Sequence, residues 1–313
     1  MSHPIFALLA CSILAATPAS LAGPQKATTA LQESAASEIA PLLRRVRLIG
    51  ASVTAGYGTA SRSEIRRNLP LEIFLECALA PRNAEADLDT SASNMFFQAP
   101  TLTGKRQATW AAQSAPTLVI ALDFLFWYGF GVNTPQEPRR LAGLEKGLKA
   151  LEAIEAPLII GTLPNVDHAM EGKGPFGGPI LSWSQIPSDE SRKAMNTRIL
   201  EWAGKRENVT VVDSEANLAA FVAGEEMKLG DETWKPSSRT SGLQEDLLHL
   251  SLDGYVWTAL TLTDALARLE GAKASDFRQG RAAVRGAFDD YVEGVLADRA
   301  QRRKKSSGEK GLR

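Results

Sequence analysis

Residues 44–58, Arg44-Arg45-Val46-Arg47-Leu48-Ile49-Gly50-Ala51-Ser52-Val53-Thr54-Ala55-Gly56-Tyr57-Gly58, pass from charge to a short apolar run to small residues within one strand and one turn. Val46, Leu48 and Ile49 predict a strand. Gly50 permits a sharp bend, and Ser52 follows just after it. With a helix starting near Val53, Ser52 would stand at the top of a strand beside free backbone N–H groups. That is the setting for a nucleophile and part of an oxyanion hole.

Outward from this stretch, strands and helices alternate. Residues 117–122 (TLVIAL) and 157–162 (PLIIGT) read as buried strands of a parallel sheet. Residues 208–212 read as the last strand and 95–98 as a short second one. Helices are expected over 61–80 with a break at Pro70, 107–113, 138–155, 189–202 capped by Ser188, and 252–269. Residues 83–93 and 233–242 read as loops. This alternation predicts a three-layer α/β fold, with the active site at the carboxyl ends of the strands. Ser52, Asp123 and Pro164 fall there.

Far downstream, Asp246-Leu247-Leu248-His249-Leu250-Ser251, followed by Gly254-Tyr255, spaces a carboxylate and an imidazole three residues apart. One turn then carries both a base and the group that orients it. The chain has three histidines, at 3, 168 and 249, and His3 lies in a leader-like stretch. A histidine base is therefore His168 or His249, and Ser52, Asp246 and His249 form a candidate triad. The plainer reading is a helix cap beside a surface histidine.

The two stretches resemble those of the SGNH/GDSL hydrolase superfamily, whose members are lipase- and esterase-like. Gly50-Ala51-Ser52 with Gly56 is similar to its first block, usually Gly-Asp-Ser. Asp246, His249, Ser251, Gly254 and Tyr255 are similar to its last block, usually Asp-x-x-His-Pro-Ser-x-x-Gly-Tyr, with Leu250 in the proline place. The resemblance spans residues 44–268. It implies a three-layer α/β/α sandwich with a mainly parallel, flavodoxin-like sheet of some five strands. It also implies Ser52 as nucleophile, His249 as base and Asp246 as its partner. The family completes its oxyanion hole with a second-block glycine N–H and a third-block asparagine. Gly104 is the nearest candidate for the glycine. The third block, usually Gly-x-Asn-Asp, reads Ala121-Leu122-Asp123-Phe124 here, which sets Asp123 nearest the asparagine. An ionised carboxylate cannot donate to an oxyanion. Asp123 is therefore protonated, or has another role, or the hole is built differently, with a backbone N–H or the Trp127 indole as donor. Asn165, within Thr162-Leu163-Pro164-Asn165-Val166, falls in a stretch resembling the fourth block, which shapes the pocket.

The remaining features bound the problem. The 313 residues are 44% hydrophobic with net charge −1, which supports a real core and gives no global pull towards nucleic acid or membrane. Residues 1–22, apolar from Ile5 to Ala16 and ending Ser20-Leu21-Ala22, read as a signal peptide and predict a periplasmic or secreted protein, though the n-region lacks Lys and Arg. Its removal would leave Cys77 without Cys11. Residues 23–43 form an approach segment, 44–270 the hydrolase-like domain, and 271–313 a C-terminal helix (277–296) with a basic tail. That tail, Arg302, Arg303, Lys304, Lys305, Lys310 and Arg313 against Glu309, is a solvated end or a weak contact with an anionic envelope surface. The aromatic run 124–130 lines a pocket or packs as core, and His168 is a substrate contact or a surface residue. No metal-ligand spacing and no phosphate-binding loop is present, so no cofactor is expected. The expected activity is carboxylic ester hydrolysis through an acyl-enzyme. The alternative is an inactive hydrolase-like domain that binds envelope glycan or lipid.

Overall fold

A computed structural model describes residues 37–61, 64–131, 137–229 and 232–310, the side chains of 137 and 303–310 excepted. The leader 1–22, the approach segment up to 36 and the tail side chains from 303 lie outside the described residues. The described helices are α1 (Ala40–Leu43), α2 (Leu71–Ala78), α3 (Pro100–Gln113), α4 (Phe126–Gly129), α5 (Glu137–Leu151), α6 (Asp189–Ala203), α7 (Ser214–Ala223), α8 (Leu252–Leu266) and α9 (Gly280–Lys310). The strands are β1 (Val46–Gly50), β2 (Leu88–Ala92), β3 (Leu118–Ala121), β4 (Leu158–Gly161) and β5 (Val209–Val212), with a small hairpin of β6 (Met227–Leu229) and β7 (Glu232–Trp234).

The main sheet has the order β2-β1-β3-β4-β5, and every pair in it is parallel. Successive side chains of a strand point to opposite faces, and here each face has its own core. Val46, Leu48, Leu118, Ile120 and Ile159 pack with α2, α8 and α9 on one side. Ile49, Val119, Ala121, Leu158 and Ile160 pack with α3, α5 and α6 on the other. The result is the three-layer α/β/α sandwich expected. No helix among the described residues is long and apolar enough to cross a membrane.

Several local expectations are corrected. The second strand is Leu88–Ala92, inside the stretch read as a loop, and not 95–98. It is an edge strand of mixed polarity, Leu-Asp-Thr-Ser-Ala, and carries no apolar run to announce it. Residues Phe96–Gln98 instead make a 3₁₀ turn that drives Phe96 into the core against Phe124 and Tyr128, ring centroids 5.6 and 5.9 Å away. The helix expected over 61–80 is confined to Leu71–Ala78, with Pro70 at its N-cap. Part of the expected loop 233–242 is β7. The closing helix α9 begins later and runs further than 277–296, and its Val284 and Phe288 are buried in the core. Ser188 caps α6 as expected, accepting from the Ser191 N–H at 3.2 Å.

Candidate active site

β1 ends at Gly50, and the chain enters consecutive turns without forming the helix expected near Val53. The backbone N–H groups of this turn are satisfied by Asp123, which follows β3. Its carboxylate accepts from the N–H of Ala51 (3.0 Å), Val53 (2.8 Å) and Thr54 (3.3 Å), and from the Thr54 hydroxyl (2.6 Å). Burial pushes its carboxyl up, against the pull of these four donors. Gly50 is required for this approach, because a Cβ there would lie 2.0 Å from Asp123 Oδ1 and 2.4 Å from Thr54 Oγ1. Asp123 is thus a cradle under the turn, and its oxygens are occupied as acceptors. The Ser52 N–H, between two amides held by Asp123, has no hydrogen-bond partner among the described residues.

The downstream stretch carries a second buried cluster. The Asp246 Oδ2 lies 2.9 Å from His249 Nδ1, and its Oδ1 accepts from the N–H groups of Leu248 and His249, each at 2.9 Å. Burial alone would raise the Asp246 carboxyl, but the His249 ring and the two amides outweigh it and hold it below its usual range. Both side chains are buried. Leu247 between them takes φ +54, a left-handed conformation that disfavours a branched side chain by about 1–2 kcal/mol. Its N–H donates to Gln244 O at 2.9 Å. This strained turn folds the Asp246 carboxylate back onto its own loop.

Three contacts dock this loop on the Ser52 turn. The His249 ring lies against Tyr57, centroids 4.1 Å apart. Gln244 Nε2 donates to Tyr57 O at 2.7 Å, over Gly58, whose φ of +75 and close approach to Gln244 both favour glycine. The Tyr255 hydroxyl donates to Val53 O at 2.9 Å. The rest of the last block is structural: Ser251 caps α8 by accepting from Gly254 N–H at 3.1 Å, and a Cβ on Gly254 would sit 2.0 Å from Gly242 O. The half-buried Ser52 hydroxyl makes no hydrogen bond to His249 in this structure.

Two hollows flank the turn, and Leu248 borders both. One, of about 120 Å³, is lined mainly by aliphatic side chains at the strand ends, among them Val53, Leu122, Leu163, Val212 and Leu250, with Asp123 at its wall. The other, of about 420 Å³, is an aromatic cleft bounded by Tyr57, Asn94, Phe97, Trp127, Phe176 and His249.

The remaining sequence candidates are dispersed. Trp127 lines the cleft, its ring 5.5 Å from that of Phe97. Gly104 sits inside α3, where a Cβ would lie 2.1 Å from the Tyr128 hydroxyl; it is a packing glycine, with its N–H inside a helical turn. The Asn165 side chain is spent on Asp167, donating to its carboxylate at 3.1 Å and accepting from its N–H at 2.8 Å, while its neighbours Pro164 and Val166 reach the aliphatic pocket. His168 is buried rather than on the surface, and burial lowers its pKa. Sequence reasoning missed Gln244, Tyr57 and Asn94. Tyr57 lies in the opening stretch itself, but nothing local marks a residue that receives a partner from far downstream.

No protein-family model matches the chain, and no curated protein matches it. Among solved structures it is similar to a putative acylhydrolase from Bacteroides fragilis, at 14% identity over 78% of this chain and 99% of that one, TM-score 0.40. It is also similar to an acetyl-xylooligosaccharide esterase from Geobacillus (12%; 74% and 97%; TM-score 0.41) and to a GDSL-like lipase from Bacteroides thetaiotaomicron (12%; 72% and 88%; TM-score 0.38). Such distant likenesses carry no functional argument, and the reading of the site rests on its residues.

Proposed function

We propose that this chain is a carboxylic ester hydrolase with Ser52 as nucleophile. The observation that carries the reading is the buried Asp246–His249 pair, 2.9 Å apart, docked through Tyr57 and Gln244 onto the turn that carries Ser52. In this mechanism His249 Nε2 takes the Ser52 proton as Oγ attacks the ester carbonyl carbon. Asp246 fixes the ring tautomer and stabilises the imidazolium that forms. The tetrahedral intermediate collapses, the alcohol leaves with the proton from His249, and water repeats the sequence on the acyl-enzyme. The step requires Ser52 Oγ within reach of His249 Nε2, a hydrogen bond that commonly tightens only when substrate is bound. The aliphatic pocket on the Val53 side suits the acyl chain, and the aromatic cleft on the Tyr57 side suits the alcohol portion. In the same reading the enzyme is exported, on the strength of the apolar run from Ile5 to Ala16.

The test is hydrolysis of a p-nitrophenyl ester series by the chain beside Ser52→Ala and His249→Ala. Turnover abolished by both substitutions is expected, and turnover indifferent to Ser52→Ala removes the mechanism. Each methylene placed in the aliphatic pocket is worth about 0.8 kcal/mol, so butyrate should exceed acetate in kcat/KM by roughly tenfold. A flat profile would reject the acyl assignment of that pocket. The second reading, a domain that binds envelope glycan or lipid without turnover, is favoured by the open Ser52–His249 link. A fluorophosphonate that fails to label Ser52 would support it.

A further inference from the structure

The proposed reaction creates an oxyanion, and among the described residues only part of its receptor is evident. The Ser52 N–H has no partner among the described residues, Asp123 is occupied as an acceptor, and Gly104 is inside a helix. The second donor must come from an element beside Ser52. β2 runs parallel to β1 with Gly50 opposite Ala92, and the pairing continues one step as the Ser93 N–H donates to Gly50 O at 3.2 Å. Gln107 Nε2 clamps the same carbonyl at 3.0 Å. Ser52 and Asn94 are each the second residue beyond the Gly50–Ala92 pair, so both leave the carboxyl edge of the sheet from neighbouring strands.

We infer that Asn94 is a catalytic residue, whose side-chain amide donates to the oxyanion together with the Ser52 N–H. This deepens the proposed ester hydrolysis and rests on it. Asn94 lines the same cleft as Tyr57 and His249. Its Oδ1 is buried without a partner, and no hydrogen bond within the described residues holds either end of the amide. An asparagine amide has two donors and one acceptor oxygen, and leaving a buried polar atom unpaired costs about 1–3 kcal/mol. The side chain is therefore not committed to the fold, and it is a neutral donor where the Asp123 carboxylate cannot be one. When Oγ bonds to the carbonyl carbon, the C=O π pair moves to oxygen and the proton passes to His249. The new O⁻ then receives the Asn94 Nδ2–H and the Ser52 N–H.

The experiment compares the full chain with Asn94→Ala, Asn94→Asp and Ser52→Ala on p-nitrophenyl butyrate, with fluorophosphonate labelling and circular dichroism of each. Loss of one oxyanion donor lowers kcat by about 10²–10³-fold. Asn94→Ala is expected to show that loss with KM within roughly threefold and unchanged circular dichroism. Asn94→Asp, near in shape but anionic, should fall at least as far. A structural role would move KM or the spectrum instead, and that outcome overturns the assignment. Turnover that Ser52→Ala abolishes but Asn94→Ala leaves within threefold also overturns it, while leaving ester hydrolysis standing. An unmodified chain that neither turns over nor labels overturns both.

Discussion

At Asp123 a single carboxylate does for the Ser52 turn what a helix start would otherwise do, by giving three backbone amides an acceptor. Leaving a buried donor unpaired costs about 1–3 kcal/mol, so Asp123→Ala should lower unfolding stability in urea by about 3 kcal/mol. Ser52 reactivity should fall with it. A loss below about 1 kcal/mol would show that the turn holds without its cradle. Gly50→Ala tests the same contact from below. Its Cβ, 2.0 Å from Asp123 Oδ1, forces the carboxylate aside, and overpacking of this kind costs about 1–3 kcal/mol. The two substitutions share the closest of these contacts, so a double-mutant cycle should be non-additive, with Asp123→Ala relieving the carboxylate part of the clash and leaving that with Thr54. Additive losses would mean that Gly50 serves some other purpose.

Between elements, Asp276 ties the residues just before α1 and just after α2 to the segment joining α8 and α9. It is fully buried and accepts from Ser37 Oγ (2.5 Å), Arg82 Nη2 (2.6 Å) and the Lys273 N–H (2.7 Å). Burial would raise its carboxyl, but the bonds to Ser37 and Lys273 and the Arg82 charge hold it below its usual range. A carboxyl depressed in the folded state binds fewer protons there than in the unfolded chain. Its stabilisation is therefore complete above the unfolded value of about 4 and is lost as pH falls through the folded one. Asp246, also depressed, acts in the same direction. The urea midpoint should drop as pH is lowered from about 5 towards 2, and Asp276→Asn should flatten that limb while lowering stability at neutral pH. An acid limb identical in parent and variant would exclude Asp276 as a contributor.

Across the whole molecule, a stack of rings joins the last helix to the site. Phe288 of α9 stacks on Phe74 of α2 at 4.8 Å, and Phe74 stacks on Tyr255 of α8 at 4.7 Å, whose hydroxyl holds Val53 O. The segment 271–313 looked separate in composition, yet its buried face completes the core of the domain. Removing a buried phenylalanine costs about 3–5 kcal/mol. Phe288→Ala should therefore destabilise the entire domain by that amount in one cooperative transition, followed by tryptophan fluorescence and far-UV circular dichroism together. A first transition confined to α9 would make it an appendage. By itself the sequence determined the layer order, through apolar strands alternating with periodic helices, and the Asp246–His249 pair, because residues three apart share one turn. It also marked Ser52, since a serine two residues past a glycine at a strand end is a local pattern. The edge strand β2 escaped, having one face without an apolar requirement. Only the tertiary structure decided what Asp123 does, which residue receives Gln244, and that Asn94 lines one cleft with Tyr57 and His249. Asp123 reaches across about 70 residues and Tyr255 across 202 to meet the same turn. Periodicity records local backbone geometry, whereas pairings at such separations are set by strand register and by which buried amide lacks an acceptor.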